Sequence, residues 1–172
     1  ALQGAMAGAI THSHVMGYVP AAMLADIVHM ILLEDGRTLE NIVLDSLERM
    51  ERMFDYPATK NFAELIHRAI ALSKTDLPDT ECIRQLGQGW VGDEAIAIAI
   101  YCALRHQDDM ADCLSAAVTH DGDSDSTGAI AGNILGAWLG AEAIPAEWLD
   151  AIELRAVVDD MAHKLYEAAQ AH

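Results

Sequence analysis

The chain is short of aromatic residues, of basic residues and of cysteine, and each shortage narrows what it can be. Aromatic side chains make up 5% of its 172 residues, β-branched runs are short and alanine dominates, a composition that favours helices over strands. Ten Lys and Arg stand against 27 Asp and Glu, giving a formal charge of −17 and a pI of about 4.5. Such a balance argues against nucleic acid or an anionic membrane as partner. The three cysteines, Cys82, Cys102 and Cys113, are an odd number with no C-x-x-C spacing. They read as reduced, buried thiols of a cytoplasmic protein. No apolar run approaches transmembrane length and no signal-peptide pattern is seen. The chain opens at Ala1 without Met, and the small residues up to Ala9 read like the middle of a domain, so a processed or truncated product is expected.

What remains is globular. Hydrophobic residues reach 52% and charged ones 22%, and a chain of ~150 residues buries roughly 68–70% of its unfolded surface. The pattern predicts a compact all-α, multi-helix bundle forming one domain over residues 1–172. Pro20 is placed in the first turn of a helix running to about Leu33. Thr38 caps the next helix, and Phe62, Leu65, Ile66 and Ile70 mark another. The almost continuous apolar run Ala95–Leu104 predicts a central helix. A last amphipathic helix, Leu154–Ala168, is expected to turn Val157, Val158, Met161 and Leu165 inward.

The chemistry concentrates in His120-Asp121-Gly122-Asp123-Ser124-Asp125-Ser126-Thr127-Gly128. Aspartates at alternate positions and a hydroxyl supply the hard oxygen ligands that Mg²⁺, Mn²⁺ or Ca²⁺ prefer. The stretch is not an EF-hand: counted from Asp121, Ser126 stands where glycine is needed and Gly132 where glutamate is needed. Nor is it a Walker loop, since no Gly-Lys-Ser/Thr follows. The bland reading is an Asp/Ser turn capping a helix. Against it, Gly128, Gly132, Gly136 and Gly140 recur every fourth residue of the following helix, each costing about 1 kcal/mol relative to Ala. Close packing against another helix is the expected offset. His120 abuts the loop and could orient a carboxylate. Trp90 reads as a packing wedge, and Asp93 and Glu94 as first-turn acids favoured by the helix dipole. From spacing alone, His12 and His14 read as structural.

Three segments resemble the ADP-ribosylglycohydrolase family, which includes the dinitrogenase-reductase-activating glycohydrolases and the ADP-ribosylarginine hydrolases. Gly122-Asp123-Ser124-Asp125-Ser126-Thr127-Gly128-Ala129-Ile130-Ala131-Gly132 is similar to the family's C-terminal signature. Thr11-His12-Ser13-His14 with Gly17-Tyr18 resembles its Thr-His-x-His-Pro-x-Gly-Tyr segment, with Ser13 and Val15 as departures. Leu86-Gly87-Gln88-Gly89-Trp90-Val91-Gly92-Asp93-Glu94-Ala95 resembles its Gly-x-Gly-Trp-x-x-x-Glu-Ala segment, and Ile144–Leu149 a tail of bacterial members.

The resemblance implies a fold and a reaction. Asp123, Asp125 and Ser126 match metal ligands of a centre of two Mg²⁺ or Mn²⁺ ions, with Asp123 and Asp125 carrying the catalytic role. Ser126 is a variant found among the arginine-linked hydrolases. His12, Gly17 and Tyr18 are the implied contacts to ADP-ribose. The implied activity is hydrolysis of the glycosidic bond between ADP-ribose and a protein side chain, arginine favoured, so the expected partners are ADP-ribosylated protein or ADP-ribose. The family's N-terminal half carries a Thr-Asp-Asp triplet and an upstream Glu that complete the metal site. Neither Gln107-Asp108-Asp109 nor Val158-Asp159-Asp160 supplies that triplet, so the chain resembles the C-terminal portion alone. Two readings follow: one part of a hydrolase, pairing with the N-terminal half or with itself, or an inactive or structural derivative of the family.

Overall fold

The computed structural model describes residues 1–33 and 36–170. Among them there are ten α-helices and no strand. They are α1 Leu2–Ala9, α2 Val15–Leu32, α3 Leu39–Met53, α4 Pro57–Leu72, α5 Asp79–Arg84, α6 Gly92–Arg105, α7 Met110–Val118, α8 Ser124–Leu139, α9 Ala146–Ala151 and α10 Arg155–Gln170, with a 3₁₀ turn at Ala141–Ala143. The all-α expectation is met, and the starts are set by local chemistry. The Thr38 hydroxyl takes the Asn41 N–H at 3.2 Å, the Asp109 carboxylate takes the Asp112 N–H at 2.9 Å, and Pro57 occupies the first turn of α4, where its missing N–H costs nothing.

The centre of the molecule is α6. Every residue from Ala95 to Ala103 is buried, and the helix packs against α2, α4, α7 and α8. Small and branched side chains alternate along it (Ala95, Ile96, Ala97, Ile98, Ala99, Ile100), so neighbouring helices can approach from several sides. Cys82, Cys102 and Cys113 are free and buried around it. Burial first, and Asp79 second, push the Cys113 thiol up to about 12. Burial also raises Cys102, so the fold favours the protonated form of Cys102 and Cys113.

Three expectations need correction. First, α2 begins at Val15, not at Pro20. His14 caps it through Nδ1, which accepts the Met16 N–H at 3.2 Å, and proline's fixed φ is compatible with the helix that follows. The Met16 carbonyl, which residue 20 has no N–H to reach, lies against Gly92. A Cβ there would come within 2.6 Å of that oxygen. The extension also makes α2 an 18-residue helix of mean hydropathy 1.7, long and apolar enough by those measures to cross a membrane. Its Val19, Ala22, Met23 and Ile27 are fully buried in the bundle, as in a core helix.

Second, the glycine face of α8 is not closely packed along its length. A Cβ at Gly128 would meet Val118 Cγ1 at 2.7 Å, one at Gly132 would make ordinary contact with Leu114 at 3.6 Å, and one at Gly136 would meet nothing within 4 Å. Third, α10 does not turn its apolar stripe inward. Val157, Val158, Met161 and Leu165 are 49–66% exposed, and the helix, which follows a left-handed residue at Leu154 (φ 59°), packs substantially on none of the others. The amphipathic pattern is genuine, but among the described residues no helix covers it.

Candidate functional site

Two loops hold the site together by backbone contact. The loop between α5 and α6 and the aspartate loop before α8 meet where the Asp123 N–H donates to the Gln88 carbonyl at 2.8 Å. Gly122 permits this, because a Cβ there would lie 1.8 Å from that carbonyl oxygen. On the other side, Glu94 Oε2 accepts the N–H groups of Gln88 at 2.9 Å and Gly89 at 3.1 Å. Its sequence reading as a first-turn acid missed this role; the signal was the Gly-x-Gly pair a few residues upstream, whose amides need an acceptor.

His120 secures the other flank. Its Nδ1 accepts the Gly122 N–H at 3.1 Å, and its Nε2 lies 3.0 Å from Thr127 Oγ1. The buried Thr127 hydroxyl donates to the Ala117 carbonyl at 2.7 Å, so it accepts from His120, which fixes the Nε2–H tautomer. His120 therefore holds loop backbone and helix start, and does not orient a carboxylate as the sequence had led us to expect.

Asp123 and Asp125 come together at the α8 N-terminus. A hydrogen bond with the Asp123 side chain, then the N–H groups of Ser126 and Asp125 itself, hold the Asp125 carboxyl below its usual range. Two carboxylates this close repel each other, and a cation between them would relieve that repulsion. With the Ser126 hydroxyl they offer hard oxygen donors suited to Mg²⁺ or Mn²⁺. The set is partial: among the described residues no group of three His, Cys, Asp or Glu side chains is placed to hold a metal ion.

Asp123 and Ser126 open into a cleft of about 720 Å³ whose walls include His12, Gly17, Trp90, Gly92 and Ile130. His12 is steadied by the Thr11 hydroxyl, 2.8 Å from its Nδ1. The turn lies close over α2, since a Cβ on Gly17 would sit 2.4 Å from His12 Cβ. Trp90 is not a packing wedge: it is 67% exposed and stands in the cleft wall. Tyr18 is not in that wall. Its ring packs on Phe54, centroids 6.0 Å apart, and a hydrogen bond to Tyr56, then burial, raise its pKa. His12, Gly17, Asp123 and Ser126 are thus brought to one cleft, Asp125 sits beside Asp123, and Tyr18 faces another helix junction. The first turns of α2, α6 and α8 all contribute to the cleft, so three helix N-termini meet there in a chain of net charge −17.

A helical bundle with a carboxylate loop at a cleft ringed by helix starts defines a class, and comparison supplies the family. The model of the ADP-ribosylglycohydrolase family matches residues 1–172; the chain belongs to that family. It is similar to ADP-ribosylhydrolase ARH3 of Danio rerio, 29% identical over 181 residues covering 92% of this chain and 49% of the relative. It is also similar to ADP-ribosylhydrolase ARH3 of Homo sapiens, 27% identical over 188 residues covering 94% of this chain and 50% of the relative. The chain spans about half the length of the curated relatives it matches. No solved structure matches it.

Proposed function

We propose that the chain is the part of an ADP-ribosyl hydrolase that carries the Asp-x-Asp-Ser side of the metal site and one wall of the ADP-ribose cleft. The observation that carries this reading is the meeting of three helix N-termini with Asp123 and Ser126 in one cleft. An acidic chain can hold a pyrophosphate only with cations or with oriented backbone N–H groups, and this cleft brings helix starts together with the carboxylates that would recruit a cation. Asp123, Asp125 and Ser126 would hold Mg²⁺ or Mn²⁺. Bound there, the ions would supply Lewis acidity and lower the pKa of a bound water. Asp123 and Asp125 orient a water and take its proton. The water oxygen bonds to the anomeric carbon, the bond to the side-chain nitrogen or oxygen breaks, and the leaving atom takes a proton. His12 and Gly17 line the cleft for the ligand, and Tyr18 supports it indirectly through the start of α2. An arginine linkage is favoured by Ser126.

The chain's partners on this reading are ADP-ribosylated protein and the other half of the family fold, with self-association where that half is absent. The partial metal set favours a second reading, a non-catalytic member of the family. Release of ADP-ribose from arginine- and serine-modified peptides separates them, measured with Mg²⁺, with Mn²⁺ and after addition of a family N-terminal half. Release that requires metal and is lost in Asp123→Ala supports the hydrolase; no release under any condition, with folding intact, supports the second.

A further inference from the structure

Glu94 is the third residue of α6 counted from Gly92. A glutamate there ordinarily reaches back to the N–H of its own helix cap, here Val91. Glu94 reaches past it: one oxygen takes the N–H groups of Gln88 and Gly89. The space is made for it, because Gly87, at φ +130°, leaves open a position where a Cβ would come within 2.3 Å of Glu94 Cδ. Charged acceptors make the stronger hydrogen bonds, and the peptide they fix at Gln88 is the one whose carbonyl takes the Asp123 N–H at 2.8 Å.

We propose that Glu94 is a positioning residue that sets the place of Asp123, acting through the Gln88 peptide rather than by touching ligand or metal. The proposal depends on the proposed role of Asp123 only for its functional consequence; the mechanical link stands on the hydrogen bonds alone. It differs from a helix-dipole role in a way that substitution can read. A dipole role needs negative charge in the first turn, so Glu94→Asp would preserve it and Glu94→Gln would not. A brace needs one oxygen at full reach, so Glu94→Gln preserves it and the shorter Glu94→Asp does not.

The experiment is amide hydrogen exchange by NMR on the folded chain and on the Gln, Asp and Ala variants, read at Asp123, with Mn²⁺ titration by calorimetry alongside. Losing the two charge-assisted bonds should speed exchange at Asp123 by about tenfold or more in Glu94→Asp and Glu94→Ala, with Glu94→Gln within about threefold of wild type. Mn²⁺ affinity should fall in the same order. If Glu94→Ala fails to fold, the Asp and Gln variants decide. Exchange in Glu94→Asp like wild type, or in Glu94→Gln as fast as in Glu94→Ala, overturns the brace. A wild-type chain that takes no Mn²⁺ while the exchange order holds refutes the metal assignment and leaves the brace established.

Discussion

Replacing Gly122 and Gly136 by alanine, one at a time, should shift stability in opposite directions. At Gly122 the added Cβ would lie 1.8 Å from the Gln88 carbonyl oxygen, 2.6 Å from its carbon and 2.9 Å from its Cα. All three are backbone atoms, so no side chain can swing aside and the two loops must part. Parting them breaks the Asp123 N–H to Gln88 bond of 2.8 Å. A lost hydrogen bond costs about 0.5–1.5 kcal/mol and overpacking about 1–3 kcal/mol, so the expected loss is about 1.5–4.5 kcal/mol. At Gly136 nothing lies within 4 Å of the added Cβ and the residue is inside α8. Alanine there should stabilise by about 0.5–1 kcal/mol through helix propensity and a less flexible unfolded chain. Urea unfolding with the slope held common reads both changes. A Gly122→Ala chain within about 0.5 kcal/mol of wild type would refute the backbone-on-backbone account of the site, and a destabilised Gly136→Ala would show that the glycine face of α8 is covered after all.

Two further expectations follow from burial. Because the fold raises Cys113 to about 12 from an ordinary 9.0, it favours the neutral thiol. That stability is fully present below pH 9 and is lost as pH rises from there toward 12; the urea midpoint should fall across that range, and fall less steeply in Cys113→Ala. An equal slope in the variant would contradict the assignment. Val158, Met161 and Leu165 follow a three-four spacing on α10 with all three about half or more exposed, the pattern of a helix seam awaiting a helical partner. The isolated chain should therefore self-associate, and Val158→Lys with Met161→Lys should shift it toward monomer by sedimentation velocity; a strictly monomeric wild type at high concentration would count against this.

The helical class, the central α6 and the aspartate loop were legible because each rests on local pattern: the cap at Thr38, unbroken apolar residues from Ala95, alternating carboxylates at Asp123 and Asp125. What was not legible depended on neighbours distant in sequence. Pro20 looked like a helix start until Gly92 was seen against the Met16 carbonyl. The spacing of α10 marks which face is apolar and says nothing of what covers it. Trp90 and Tyr18 exchanged their expected places, because a single aromatic carries no sign of whether it faces a cleft or a helix. Glu94 reads as a dipole acid from its place in the first turn; the Gly-x-Gly pair upstream signals amides in need of an acceptor, and the loop folded back on Glu94 identifies them as those of Gln88 and Gly89.

The most direct test of the central claim is calorimetric titration of ADP-ribose into this chain with and without Mg²⁺, beside Asp123→Ala and Asp125→Ala. The account predicts binding that depends on Mg²⁺ and is lost in both variants. Binding indifferent to metal and to both substitutions, or none in the wild-type chain, would contradict the placement of the ligand site in this part of the family fold.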